Sequence, residues 1–174
     1  YLKQLQELPE ADRYYLEIRG ANSSADAYLD GKHLAHHDGG YSTWRVDITE
    51  NPKGQIAILV DNAPNDTVYP QMADFTFYGG IYRDVALIVV NRHHFDLDYF
   101  GGSGLAVHAD VENKDACVWV RTWHNAKNGT VCITLQDAEG NTVAAGEGAD
   151  LRLPVPNVHL WDGLKDPYLY TAKA

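Results

Sequence analysis

The sequence predicts an all-β protein made of two β-sandwiches in series, and three observations carry that prediction. Apolar and polar residues alternate with a period of two in short segments throughout the chain. In the C-terminal half, turn-forming residues punctuate such segments at a spacing of ~8–12 residues, the pattern of a small sandwich. The chain is also rich in strand-forming aromatics, with 11 Tyr and 4 Trp among 174 residues.

In chain order, residues 1–12 are polar, contain Pro9, and read as a connector. Arg13 to Arg19 alternates as a strand. Asp26 to Leu29 and Lys32 to Ala35 flank Asp30-Gly31, which predicts a hairpin closed by a two-residue type I′ turn. The Gly39-Gly40 bend leads into a strand over Tyr41–Thr49, and Gln55 to Asp61 is a compact apolar strand. A proline-bearing loop, Asn62 to Ala73, precedes Asp74-Phe75-Thr76-Phe77-Tyr78-Gly79-Gly80-Ile81-Tyr82-Arg83-Asp84-Val85. The two glycines of this stretch suit a bend or bulge at a strand entrance. After them the chain alternates, so that Ile81, Arg83, Val85, Leu87 and Val89 fall on one face of a strand and Tyr82, Asp84, Ala86, Ile88 and Val90 on the other. Arg83 is therefore expected to point inward and to need a partner, with Asp47 as the expected carboxylate. Asn91-Arg92-His93-His94 marks the expected boundary between a first domain, 1–91, and a second, 92–174. Within the second, Leu105–Glu112, Cys117–His124, Thr130–Gln136 and Thr142–Ala145 are the expected strands.

Composition excludes several classes. Hydrophobic residues make up 45% and charged residues 22%, neither a disordered nor a membrane-spanning composition. The longest apolar run, Val85 to Val90, is far too short to cross a bilayer as a helix. A net charge of −10 with no basic stripe argues against a nucleic-acid partner. Two cysteines, Cys117 and Cys132, are too few for a disulfide framework and read as free, packed thiols.

Taken together, the motifs resemble glycoside hydrolase family 2, and more narrowly its β-galactosidase branch. An Asp that precedes Gly-Ile-aromatic-Arg-Asp-Val at this distance is similar to the segment closing that family's N-terminal sugar-binding domain. Ala27-Tyr28-Leu29-Asp30-Gly31-Lys32, His37-Asp38-Gly39-Gly40-Tyr41 and Asp47-Ile48-Thr49 resemble further motifs of that domain. Leu160-Trp161-Asp162 followed by Asp166-Pro167-Tyr168-Leu169-Tyr170 resembles the close of the family's immunoglobulin-like domain, ahead of the catalytic barrel. The resemblance covers nearly the whole chain, and glucuronidase-like members more often carry Ala-Gly-Ile-His-Arg-Pro-Val where this chain has Gly-Gly-Ile-Tyr-Arg-Asp-Val.

The resemblance implies a galactose-binding-like jelly roll, lacking strands upstream of Tyr1, followed by an immunoglobulin-like sandwich. It implies that the chain is non-catalytic and shapes the active site of a barrel that hydrolyses terminal β-D-galactosides with retention. It also implies that Asp74 helps to bind sugar and a monovalent cation in the complete enzyme, and that His37, Gly39, Gly40, Tyr41, Gly79, Gly80 and Arg83 serve the fold. Sodium and magnesium are expected only in the complete enzyme. The barrel and the β-galactoside are the expected partners, with neither nucleic acid nor membrane, an oligomer of identical chains is open, and a cytoplasmic location is expected.

The residues themselves offer other chemistry. Asp96 and Asp98 would share one strand face, but nothing marks either as perturbed, and a solvated face is the plainer reading. His33, His36, His37 and Asp38 have metal-ligand composition without a closed zinc spacing. Gly102-Ser103-Gly104 lacks a nucleophile elbow, and the three glycosylation sequons, at Asn22, Asn65 and Asn128, match by chance. A rival reading is a free-standing carbohydrate-binding module, whose platform would come from Trp44, Tyr69, Phe75 or Phe77; another is a purely structural spacer.

Overall fold

A computed structural model describes residues 1–69 and 72–174; Pro70 and Gln71, within the predicted proline-bearing loop, lie outside the described residues. The described chain is all-β and divides into two units, Tyr1–Gly102 and Ser103–Ala174.

Among the described residues, nine strands build the first unit: β1 (Leu2–Gln4), β2 (Arg13–Ile18), β3 (Ala21–Asn22), β4 (Ser24–Leu29), β5 (Lys32–Asp38), β6 (Trp44–Asp47), β7 (Gln55–Asp61), β8 (Gly80–Ile81) and β9 (Val85–Val90). One antiparallel sheet has the order β1-β7-β4-β5, a second the order β6-β2-β9, and β3 and β8 form a two-stranded ribbon. Alternation decides which residues meet. Ala25, Ala27 and Leu29 of β4 and Ile56 and Ile58 of β7 turn inward from the first sheet. Leu16 and Ile18 of β2 and Trp44 and Val46 of β6 join them from the second, in one core. Burying each large aliphatic side chain there contributes ~1.5–3 kcal/mol. The predicted type I′ turn is present: Asp30 and Gly31 have φ of 49° and 80°. Asp30 also ties the hairpin to the neighbouring strand, its carboxylate accepting from Gln55 N at 2.8 Å and Asn51 Nδ2 at 2.7 Å.

Three expectations are corrected in this unit. Residues 1–12 are more than a connector, because β1 extends the first sheet by pairing Leu2 with Ala57 and Gln4 with Gln55. The strand expected over Tyr41–Thr49 shortens to Trp44–Asp47, the residues before it being taken up by the turn after Gly39-Gly40. The unbroken strand expected from Ile81 to Val90 is split, with residues 82–84 outside both β8 and β9.

The division between units falls after Gly102, eleven residues beyond the expected boundary at 91, because the intervening segment is bonded into the first unit. Arg92 N donates to Asp12 Oδ2 at 2.8 Å, and the Arg45 guanidinium donates to the carbonyls of Leu97 and Gly102 at 2.6 and 2.8 Å. At Gly101 a Cβ would come within 2.2 Å of the Thr43 carbonyl oxygen, so the chain passes there only as glycine.

The second unit contains β10 (Leu105–Glu112), β11 (Asp115–Thr122), β12 (Cys132–Gln136), β13 (Thr142–Glu147), β14 (Asp150–Val155) and β15 (Thr171–Lys173). Its two sheets have the orders β10-β11-β14 and β13-β12-β15. Ala116, Val120, Leu153 and Val155 from one and Ile133 and Leu135 from the other form a separate core. The strand expected over Leu105–Glu112 is present as read, while β14 and β15 carry no expectation from the sequence. Cys117 and Cys132 are both free, but only Cys117 is partly buried; Cys132 is exposed, which corrects the expectation that both are packed.

Candidate functional site

Between β7 and β8 the chain runs out in a long loop that carries Asp74, and this loop faces the turn that joins β5 to β6. Asp74 itself is exposed at a bend. The two segments are held together through Asn22, a buried residue of β3, whose Nδ2 donates to the Tyr78 carbonyl at 2.8 Å. Asn22 also explains Gly40, since a Cβ at that position would lie 2.3 Å from Asn22 Oδ1. Gly80 has a φ of 90° and Gly39 of 120°, values that side chains resist. Gly79 approaches Asn62 closely enough that a Cβ would meet its side chain at 2.6 Å. His37 stacks on Trp44 with ring centres 5.2 Å apart and donates to, or accepts from, Ser42 Oγ at 2.8 Å. Burial pushes the His37 imidazole below its ordinary pKa, which favours the neutral ring.

Arg83 departs from expectation. It is exposed, its Nη1 donates to the Tyr41 carbonyl at 2.9 Å, and its guanidinium lies over the Tyr82 ring at 5.3 Å. The break at residues 82–84 removes Arg83 from the alternation that would have turned it inward, and Asp47 pairs instead with Arg13 at 3.5 Å. The buried cation is Arg45, in β6. Its Nη2 lies 2.7 Å from Glu17 Oε2, and both side chains are almost fully enclosed. Burial alone would raise the Glu17 pKa, but hydrogen bonds from Arg19 and Arg45 outweigh it and hold the carboxyl below its ordinary value. Sequence pattern did not single out this pair, because Glu17 reads as the outward residue between Leu16 and Ile18.

Neither alternative chemistry assembles. Asp96 and Asp98 are not on a strand; Asp98 N donates to Asp96 Oδ1 at 2.9 Å within a turn. Their alternation was therefore never expressed. His33 and His36 spend their ring nitrogens on Asp26, at 2.8 and 3.0 Å, and His36 reaches Asp38 as well at 3.0 Å. Among the described residues no group of three or more His, Cys, Asp or Glu is placed to hold a metal ion. No helix among them is long and apolar enough to cross a membrane. Trp44 is buried, so of the four aromatics considered as a binding platform it is removed, whereas Tyr69 and Phe75 are exposed and Phe77 is intermediate.

The class that emerges is a pair of β-sandwiches whose decorated loop carries an exposed carboxylate and no catalytic pair at the positions weighed. No protein-family model matches the chain. It is 31% identical to a β-glucuronidase of Bacteroides fragilis over 98% of its own length, and 32% identical to β-galactosidase BoGH2A of Bacteroides ovatus over 91%. It spans 28% of the first of these relatives and 20% of the second. Among solved structures, the FMN-binding β-glucuronidase of Faecalibacterium prausnitzii L2-6 matches 99% of the chain with a TM-score of 0.86 and 33% identity. A putative β-galactosidase from Bacteroides fragilis matches 92% with a TM-score of 0.82 and 28% identity; each match covers less than a third of the solved chain, 28% and 27%. The homologues of this chain are thus glycosidases of glycoside hydrolase family 2, both β-glucuronidases and β-galactosidases.

Proposed function

We propose that the chain is a non-catalytic part of a retaining β-glycosidase, one that buttresses a catalytic domain and shapes the mouth of its active site. The observation that carries this is the match of nearly the whole chain to less than a third of several glycosidases. Retaining hydrolysis needs two carboxyl groups about 5–5.5 Å apart, a nucleophile and an acid/base. In this reading both belong to the remainder of the protein, the partner of this chain, and the chain alone is inactive. Asp74 reaches that site and supplies one carboxylate to sugar hydroxyls and to a monovalent cation such as sodium. One exposed carboxylate cannot complete a cation's shell, so the other ligands come from the catalytic domain. Magnesium, if used, is held there too. Exposed Leu160, Trp161, Leu164 and Leu169 supply apolar surface for docking that domain.

The substrate read from Gly80-Ile81-Tyr82-Arg83-Asp84-Val85 is a terminal β-D-galactoside. A second reading, a β-D-glucuronide, is favoured by the relatives that match 98% and 99% of the chain. The complete reading frame, expressed and assayed on both chromogenic glycosides, decides between them. Turnover by the whole protein and none by residues 1–174 supports the proposal; turnover that copurifies with residues 1–174 alone overturns it. In the whole protein, Asp74→Asn should lower kcat/KM at least about tenfold, or ~1.4 kcal/mol, with an unchanged Tm. Equal kinetics across a sodium series would reduce Asp74 to an ordinary loop residue.

A further inference from the structure

Of the three glycosylation sequons, the last carries chemistry that needs no enzyme. Asn128-Gly129 is the one Asn-Gly pair in the sequence, and it lies in the loop between β11 and β12. Asn128, Gly129 and Thr130 are all exposed, and the chain bends at Lys127-Asn128. Among the described residues, neither the Asn128 side chain nor the Gly129 N–H has a hydrogen-bond partner. Space is open too, since a Cβ at Gly129 would meet only Ala126 Cβ, at 3.7 Å. Other asparagines are held. Asn22 is buried and its Nδ2 donates to the Tyr78 carbonyl at 2.8 Å, and Asn141 Nδ2 donates to Asp137 Oδ2 at 3.0 Å. Asn65 Oδ1 accepts from the N–H groups of Thr67 and Val68 at 3.0 and 2.8 Å. Asn51 precedes Pro52, which has no N–H. After Asn91 and Asn157 the next amide is already spent, Arg92 N on Asp12 Oδ2 and Val158 N on the Lys114 carbonyl, each at 2.8 Å.

We propose that Asn128 is a site of spontaneous deamidation, the asparagine of this chain that converts fastest in the folded state. Asparagine is a thermally labile residue, and intramolecular attack gains its speed from proximity. Gly129 N, deprotonated by solvent base, attacks Asn128 Cγ. A C–N bond forms, the Cγ–Nδ2 bond breaks, and the nitrogen takes up a proton from water and leaves as ammonia. Water then opens the resulting succinimide at either carbonyl, which leaves an aspartyl residue or an isoaspartyl one whose main chain is a carbon longer. Nothing is oxidised or reduced. Glycine is what permits the attack, because it has no Cβ to crowd the five-membered ring and turns freely into the required backbone geometry. Both products add a negative charge to a chain already at −10, and both erase the sequon. The change falls in an exposed loop ahead of the core residues Ile133 and Leu135, so the sandwich stays folded. This chemistry is independent of what the complete protein hydrolyses.

The test is to hold the 174-residue chain in warm, mildly acidic and mildly alkaline buffers and to follow it by ion exchange and by peptide mapping with electron-transfer fragmentation. An acidic species should accumulate, faster in the alkaline buffer, and map to Asn128 as a mixture of isoaspartyl and aspartyl forms. Conversion there should outpace that at any other asparagine by at least about tenfold. Gly129→Ala should slow it by at least about tenfold at unchanged Tm, since the added methyl group makes only an ordinary contact with Ala126. Asn128→Gln should remove the acidic species, because a glutamine side chain closes a larger ring more slowly. Conversion at Asn128 no faster than at Asn22 or Asn141 overturns the proposal, as does a rate untouched by Gly129→Ala. An aspartyl product without its isoaspartyl companion also overturns it, because water would then have attacked the amide directly. So does conversion that begins only once the far-ultraviolet spectrum reports unfolded protein, since the folded loop would then protect Asn128.

Discussion

Glu17 is clasped by two guanidiniums, from Arg19 and Arg45, and among the described residues of the first unit it is the one buried carboxylate. Breaking such a buried pair from one side leaves an uncompensated ion, which costs about 3–5 kcal/mol. Arg45→Ala should therefore destabilise by up to that amount in chemical denaturation, since Arg19 still pairs with Glu17, and the loss should include the bonds to Leu97 and Gly102. Arg83→Ala should cost no more than about 1 kcal/mol, since Arg83 is exposed and serves one carbonyl. The contrast marks a limit of pattern reading. Alternation assigns faces only while the backbone stays extended, and residues 82–84 leave the strand. Nothing in the spacing of Glu17 and Arg45 announces their pairing, which exists because β2 and β6 lie side by side with Glu17 opposite Arg45.

At the scale of elements, the β4–β5 hairpin carries a ladder of side chains on its outer face, from His33 through Asp26 and His36 to Asp38 and Ser24. A ring with a carboxylate at each nitrogen satisfies both only as the imidazolium, and bonds to Asp26 first and Asp38 second raise the His36 pKa. The sign follows from linkage. With the folded pKa above the unfolded one, the stabilisation is complete below the unfolded value of ~6.5 and is lost as pH rises through the folded value. His36→Gln should lower Tm more at about pH 5.5 than at about pH 8.5; a pH-independent difference would show that charge plays no part. The hairpin itself was legible, since Asp30-Gly31 between alternating segments leaves little choice of turn. The ladder was not: the same histidines read by composition alone suggest metal ligands, and only pairing register shows that their nitrogens are taken. Similarly, β14 went unread because Pro154 breaks its pattern, yet as an edge strand it tolerates a residue with no N–H to donate.

For the whole molecule, two cores of their own predict two folding units. Residues 103–174 expressed alone should unfold cooperatively, with slow exchange at Val120 and Ile133, which are fully buried; a disordered spectrum would show that this unit depends on the first. Turn spacing revealed that there are two sandwiches, but not where one ends, because residues 92–102 alternate over Phe95–Tyr99 without forming a strand and belong to the first unit through individual bonds to Asp12 and Arg45. The motif at Asp74 showed neither that its loop lies beside the Gly39-Gly40 turn nor that Asn22 and Tyr41, from distant parts of the chain, meet it there.

The position of β5 has a colloidal consequence. It ends the order β1-β7-β4-β5, so one row of its backbone groups has no neighbour among the named strands of that sheet. Such a border invites other chains to add to it, and growth of that kind is slowed by charge and by irregular register. Here the protection comes from Lys32, the charged ladder of Asp26, His36 and Asp38, and the register shift at Ala27/Tyr28. Mildly acidic solutions, which charge His36 and offset Asp26, Asp38 and the chain's net charge of −10, should therefore shorten the shelf life of concentrated stocks, visible as light scattering that grows as pH falls while the far-ultraviolet spectrum still reports folded protein.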